Sequence, residues 1–208
     1  MAKENVAIVG SGFLGMMLAL LLAQRGAGVT LFESAGEIGA ARLLADEGVD
    51  IRLNSPVQRV EKIGNHKLRV TLRHARRRTD AKPEQRTKYA TVKASLTVPQ
   101  GFSGAFLTEP ELKTNGVIEF PRNGLTDTFD KVILTCPSKA AATIAPQLTL
   151  QEKLGLENIS RGLHESKTSV DGLYLVNSSH IEDQMSDVNA TTRLAERFIS
   201  DNFIGTGR

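Results

Sequence analysis

A chain of 208 residues is long enough for one sizeable domain with its own hydrophobic core and a small appendage. Its single cysteine, Cys136, excludes an internal disulfide and says nothing about redox compartment. The net charge of +3 is unevenly spread, because Arg73 to Lys88, RHARRRTDAKPEQRTK, sets seven Lys or Arg against Asp80 and Glu84, which leaves the rest of the chain slightly acidic.

The first segment, NVAIVGSGFLGMMLALLLAQRGAGVTLFES, Asn5 to Ser34, has an apolar centre, yet its uninterrupted part, Met16 to Ala23, is shorter than the roughly 20 residues that cross a bilayer. A cytoplasmic protein without a targeting segment or membrane span is expected. Val6 to Val9 form the continuous apolar run of a strand buried on both faces. Glycines follow at once, then a run of helix formers leading to Gly26 and Gly28, and Val29 to Phe32 make a second buried strand ending in Glu33. That is a βαβ unit with GxGxxG at its first turn and an acid at the end of its second strand.

Each position has a physical task. Gly10 makes the tight turn, Gly12 lets a pyrophosphate approach the backbone, and Gly15 with Ala19 lets the helix pack closely on the strands. Ser11, Phe13 and Leu14 lie in the same turn and helix start and are assigned to the cofactor site with them, as is Ser34 beside Glu33. The phosphates are expected at the helix N-terminus, where unpaired N–H groups and the helix dipole favour an anion. Glu33 is expected to accept two hydroxyl hydrogen bonds from an adenosine ribose and to repel a 2′-phosphate, which disfavours NADP.

Further along, Gly48 to Arg73 contains a short strand, a Ser-Pro turn, an alternating strand from Val57, and a hairpin through Gly64-Asn65 into Lys67 to Leu72. The basic run that follows has one aromatic nearby, Tyr89, a break at Pro83 and no apolar face of helical period. It is expected to be a solvated loop rather than a surface for nucleic acid. Ala90 to Val98 and Gly116 to Phe120 read as strands, Val132 to Leu134 as a third apolar strand followed by a short alanine-rich helix, and Leu173 to Val176 as a last buried strand. A C-terminal helix is expected to start near Asp187 or Asn189, both suitable N-caps. Cys136, just past the third apolar strand, is read as a small apolar filler before a reactive thiol. His66, His74, His164 and His180 are scattered, so no metal site is expected.

Four of these stretches together resemble the FAD-dependent amine oxidase, protoporphyrinogen oxidase and phytoene desaturase superfamily. Gly10, Gly12, Gly15, Ala19, Leu22, Gly26, Val29 and Glu33 fall where its fingerprint has them. GVDIRLNSPVQRVE is similar to the segment whose valine, here Val57, meets the adenine through its backbone. FDKVILTCPSKAAATIAP, with Cys136, resembles the strand after which the chain passes the FAD. VDGLYLVNSSHIEDQMSDVNATTRLAERF is similar to the closing strand and helix, which implies that Asn177, Ser178 and the helix start at Asn189 lie by the cofactor. The resemblance also implies Arg42 as a phosphate clamp. The chain departs from the family in having Ala40 where a second glycine is usual, and Asn177 and Ser178 where the family has Gly-Asp. It also lacks most of the substrate domain, since only Leu43 to Glu47 separate Arg42 from Gly48.

The expected fold is therefore α/β, a Rossmann-like FAD/NAD(P)-binding fold with a central parallel sheet and a small, mainly β insertion. Residues 1–72 and 128–208 would form the FAD-binding domain and 73–127 the reduced insertion. The expected function is that of an FAD-binding oxidoreductase-like protein, transferring hydride or electrons to or from a small-molecule substrate. The alternatives are a non-catalytic dinucleotide-binding subunit that completes a site with a partner chain, and an NAD-dependent dehydrogenase-like domain. No catalytic residue can be placed by spacing. A homo-oligomer or a partner protein is expected, because so short a chain has little with which to enclose a substrate.

Overall fold

The computed structural model describes residues 3–64, 66–73, 126–157, 166–177, 180 and 188–203. The expected strands at 90–98 and 116–120, the basic run beyond Arg73, and His74, His164, Ser178 and Asp187 lie outside the described residues. The chain divides into two units, residues 1–75 with 120–208, and residues 76–119. Every described residue belongs to the first.

In chain order the elements are β1 (Asn5–Val9), α1 (Phe13–Gln24), β2 (Gly28–Phe32), α2 (Ala41–Asp46), β3 (Asp50–Arg52), β4 (Val57–Ile63) and β5 (Lys67–Leu72). Then come β6 (Thr126–Phe129), β7 (Lys131–Leu134), α3 (Ser138–Ile144), α4 (Leu150–Glu157), β8 (Leu173–Leu175) and α5 (Val188–Asn202). Five strands form a parallel sheet in the order β3-β2-β1-β7-β8, and three form an antiparallel sheet in the order β4-β5-β6. The Rossmann-like arrangement and the small antiparallel insertion are thus both present.

The apolar runs of β1 and β7 follow from their place in the middle of the sheet, where both faces are covered. Successive side chains of β1 point to opposite faces. Val6 and Ile8 join a core with Leu14, Leu18 and Leu22 of α1 and Ala195, Phe198 and Ile199 of α5. Ala7 and Val9 join a second core with Val60 of β4, Leu68, Val70 and Leu72 of β5, Phe129 of β6, and Ala141 and Ile144 of α3. The parallel sheet is therefore the middle layer between α1 and α5 on one side and the antiparallel sheet with α3 on the other. Burying each leucine, isoleucine or phenylalanine contributes about 1.5–3 kcal/mol.

α1 ends where Gly26 takes φ +86°. The Gly26 N–H donates to Ala23 O at 2.8 Å and the Ala27 N–H to Leu22 O at 3.1 Å, the paired bonds of a left-handed helix stop. The chain is thereby turned directly into β2.

The hairpin of β4 and β5 and the apolar strands β7 and β8 fall where the sequence suggests. Three elements do not announce themselves as readily. β6 is the polar stretch TDTF with one buried residue, and it is a strand because β5 supplies its partner. α2 is short and begins after Ala40 in a left-handed conformation, φ 51°. α4 is preceded by Thr149, whose N–H and hydroxyl each donate to Glu152 Oε2 at 2.7 Å while the Glu152 N–H donates back to Thr149 Oγ1 at 3.2 Å. That reciprocal cap is the local reason for the helix, and TLQE was its unread signature. Burial alone would raise the Glu152 carboxyl, but hydrogen bonds from Ser169 and Thr149 hold it at about 2.

α5 starts at Val188, so Asn189 lies inside its first turn and not at its N-cap. The far end of α5 is tied down by Lys131, whose ammonium lies 3.0 Å from Glu4, donates to Asn202 O at 3.1 Å, and sits 4.0 Å from the Phe203 ring centroid.

Candidate functional site

β1 and β7 are adjacent although the whole antiparallel sheet intervenes in sequence. The connections from β1 and β7 leave on opposite sides, so the carboxyl ends of these two strands form the crevice in which open α/β sheets place ligands. The glycine turn lies there. Gly10, at φ +106°, donates its N–H to Phe32 O at 2.9 Å. A Cβ on Gly10 would stand 3.0 Å from Thr135 Oγ1 and 3.3 Å from Cys136 N. A Cβ on Gly15 would stand 2.1 Å from Gly10 O and 2.8 Å from Thr135 Oγ1, so the close approach of α1 to the turn is possible only without a side chain.

Gly12 differs from both. Its φ of −56° and ψ of 168° suit any residue, and among the described residues nothing lies within 4 Å of where its Cβ would be. Neither backbone strain nor packing among the described residues calls for glycine there. Gly12 is the N-cap of α1, with no side chain capping the helix. The first N–H groups of α1 thus face an exposed cradle suited to an anion.

Glu33, just past β2, is the centre of the second half of the site. Its main chain is clamped, the N–H donating to Arg52 O at 2.9 Å and the carbonyl accepting from the Ser55 N–H at 2.7 Å. Its carboxylate takes four hydrogen bonds. Oε2 accepts from the Ser11 N–H at 3.0 Å and the Ser11 hydroxyl at 2.5 Å, and Oε1 from the Ser34 hydroxyl at 2.9 Å and the Ala35 N–H at 2.7 Å. Burial alone would raise this carboxyl, but the hydrogen bonds from Ser11, Ala35 and Ser34 hold it at about 2. Glu33 is a carboxylate at any ordinary pH.

The other residues assigned from sequence are distributed as follows. Phe13 is exposed at the start of α1, while Leu14 turns its side chain into the core and leaves only its N–H at the helix terminus. Arg42 is exposed and lies 3.9 Å from Asp46 on its own helix. Val57 opens β4, opposite Leu72. Cys136 is half-buried beside the Gly10 turn, and burial pushes its thiol up to about 11, which disfavours the nucleophilic thiolate at neutral pH. Asn177 is buried past β8 and donates to Ser138 Oγ at 2.9 Å. Asn189 is exposed. Ser178 lies outside the described residues. Among the described residues no group of three or more His, Cys, Asp or Glu could hold a metal ion, and no helix is long and apolar enough to cross a membrane.

Two contributors escaped the sequence reading. Thr135 Oγ1 lies 3.0 Å from Val9 O and 2.8 Å from Gly10 O, pinning the turn to the end of β7. Arg52 packs its guanidinium 5.4 Å from the Phe32 ring centroid and pairs with Asp50 at 2.9 Å and with Asp127 of β6. Burial alone would lower its pKa, but the charges of Asp50 and Asp127 raise it. Arg52 therefore fixes the segment that clamps Glu33. Neither role has a local signal, since both depend on which strands are neighbours.

Fold and site define an α/β dinucleotide-binding fold of the FAD/NAD(P) type. The protein-family model described as pyridine nucleotide-disulphide oxidoreductase matches residues 5–79, the stretch from β1 through the glycine turn and Glu33 to β5 and just beyond. No curated protein matches the chain. Among solved structures, THI4 of Thermovibrio ammonificans has a TM-score of 0.50 at 12% identity, with 96% of this chain and 90% of that one covered, a likeness of fold. The HOCl-induced flavoprotein disulfide reductase RclA from Escherichia coli has a TM-score of 0.37 at 14% identity, over 100% of this chain and 38% of that one. Thioredoxin reductase from Streptococcus pyogenes has a TM-score of 0.37 at 13% identity, over 97% of this chain and 53% of that one. The chain thus spans between a third and somewhat over half the length of these two reductases.

Proposed function

We propose that this chain binds FAD along the carboxyl ends of β1 and β2 and serves flavin-mediated hydride or electron transfer on a small-molecule substrate. The observation that carries the reading is Gly12, a position where any side chain is allowed by the backbone and by the packing of the described residues, and where glycine keeps open the approach to the N-terminus of α1. The α1 N–H groups would receive the pyrophosphate, and Glu33 the ribose hydroxyls, its charge rejecting a 2′-phosphate. When bound, FAD supplies the redox chemistry; the chain supplies orientation and charge.

The match over residues 5–79 supports an oxidoreductase of the dinucleotide-binding kind. The finer placement among amine oxidase-like flavoproteins is part of the proposal and rests on the four resembling stretches. Thiol-disulfide exchange within a chain needs two thiols. This chain carries one cysteine, with its thiol pushed up to about 11, so it supplies no dithiol of its own. NAD in the same turn is the second reading, favoured by the pyridine nucleotide in the description of the matching family.

One experiment separates the two: offer the purified chain FAD and NAD in excess, remove the unbound ligand, denature, and chromatograph what is released. FAD is expected. Recovery of a nicotinamide nucleotide without flavin would overturn the proposal. We further propose that activity needs self-association or a partner protein, since only Leu43 to Glu47 separate Arg42 from Gly48 and leave the chain little with which to enclose a substrate. Sizing of the FAD-loaded protein is expected to show a dimer or complex, and an active monomer would contradict it.

A further inference from the structure

An ionised carboxylate offers about four acceptor positions, and all four on Glu33 are taken. Two of the donors are backbone N–H groups, of Ser11 and Ala35, which cannot leave without moving the glycine turn or the end of β2. The other two are the hydroxyls of Ser11 and Ser34, each free to swing away by one side-chain rotation. A ribose also presents two hydroxyl donors, on neighbouring carbons. We propose that the Ser11 and Ser34 hydroxyls stand in for a ligand's vicinal diol, satisfying Glu33 while the site is empty and giving up their positions to the two ribose hydroxyls on binding.

This deepens the dinucleotide reading and rests on it. The two backbone donors are the permanent part of the device. They hold the carboxylate in place, so a ligand meets an oriented acceptor and no reorganisation of Glu33 is required. The two hydroxyls are the exchangeable part. They stabilise the empty site and so set a threshold that a ligand passes only if it brings a hydroxyl for each one displaced. A ligand without the diol displaces nothing and gains nothing at Glu33. Ser11 is the better placed of the two for a test, because its hydroxyl makes the shorter bond, 2.5 Å against 2.9 Å for Ser34. Ser11 is in this sense a specificity-determining residue that acts by competing with the ligand, in contrast to one that touches it.

The sign of the outcome separates this idea from a simple supporting role. Titrating the full chain, free of cofactor, with ADP by calorimetry should show Ser11→Ala binding at least about tenfold more tightly than the parent, the worth of one hydrogen bond to a charged acceptor removed from the empty state alone. The same variant should bind 2′,3′-dideoxy-ADP, which brings no hydroxyl to exchange, as the parent does. Its thermal midpoint without ligand should fall, showing that the competing bond was present in the empty chain. Ser11→Ala binding ADP no better than the parent, or worse, would overturn the exchange while leaving nucleotide binding intact. A parent that binds neither ADP nor FAD would overturn the dinucleotide reading itself and this inference with it. Ser34→Ala gives an independent second variant, for which the same tightening is expected.

Discussion

Gly12 and Gly15 stand three residues apart on one turn, and the structure predicts opposite consequences for filling them. Gly15→Ala would put a methyl group 2.1 Å from Gly10 O, where ordinary contact begins at 3.4 Å, and 2.8 Å from Thr135 Oγ1. The obstructing atom is backbone, held by the Gly10 N–H bond to Phe32 and by Thr135, so α1 must withdraw by more than an ångström. Its buried face, Leu14, Leu18 and Leu22, is packed against the sheet and α5, and overpacking of this kind costs up to about 3 kcal/mol. For a chain of this length that is a fall in thermal midpoint of about 6–12 °C. Among the described residues a Cβ at Gly12 meets nothing within 4 Å, so the cost expected of Gly12→Val is a less favourable helix N-cap, about 1 kcal/mol or less. It should melt within a few degrees of the parent yet lose one or two charge-assisted phosphate contacts, each about 1.5–3 kcal/mol, a loss of tenfold or more in FAD or ADP affinity. Differential scanning fluorimetry with calorimetric titration reads both quantities. A Gly12→Val chain that is well folded and binds as tightly as the parent would refute the assignment of the cradle, and a Gly15→Ala chain as stable as the parent would refute the packing argument.

Glu33→Ala should weaken ADP binding by less than one full hydrogen bond to a charged acceptor, which is worth about 1.5–3 kcal/mol, because each ribose bond it forgoes replaces a serine bond; the same titration measures it. Because Glu33 is held at about 2, below its ordinary 4.5, its contribution to folding is complete above 4.5 and should be lost as pH falls towards 2; denaturant titrations of parent and Glu33→Gln should converge across that interval. Glu152, also lowered from 4.5 to about 2, has the same sign, so Glu152→Gln should destabilise the chain at neutral pH and lose its effect in acid. Ala40 holds φ 51° at the start of α2, a conformation that costs a residue with a Cβ about 1 kcal/mol. Ala40→Gly should therefore raise the urea midpoint, and an unchanged or lower midpoint would show that the left-handed turn is not strained.

Much of the site was readable because it is local. A buried strand, a glycine turn, an apolar helix with a glycine stop and a second strand ending in an acid all lie within Asn5 to Glu33, and periodicity and turn chemistry are properties of neighbouring residues. The hairpin of β4 and β5 was readable for the same reason, its turn being carried by Gly64. What contiguous residues cannot carry is adjacency between distant strands. Only the packed sheet places Thr135 of the β7 end against Gly10, and only β5 makes a strand of the polar stretch Thr126–Phe129, bringing Asp127 to Arg52. The amino-acid sequence by itself determined a dinucleotide-binding βαβ unit and which residues form its turn and its acid. Tertiary structure alone decided that Leu14 faces the core and that Ser11 folds back onto Glu33. Those outcomes turn on side-chain directions and strand order, which are set when the layers close on one another and bury both faces of the parallel sheet.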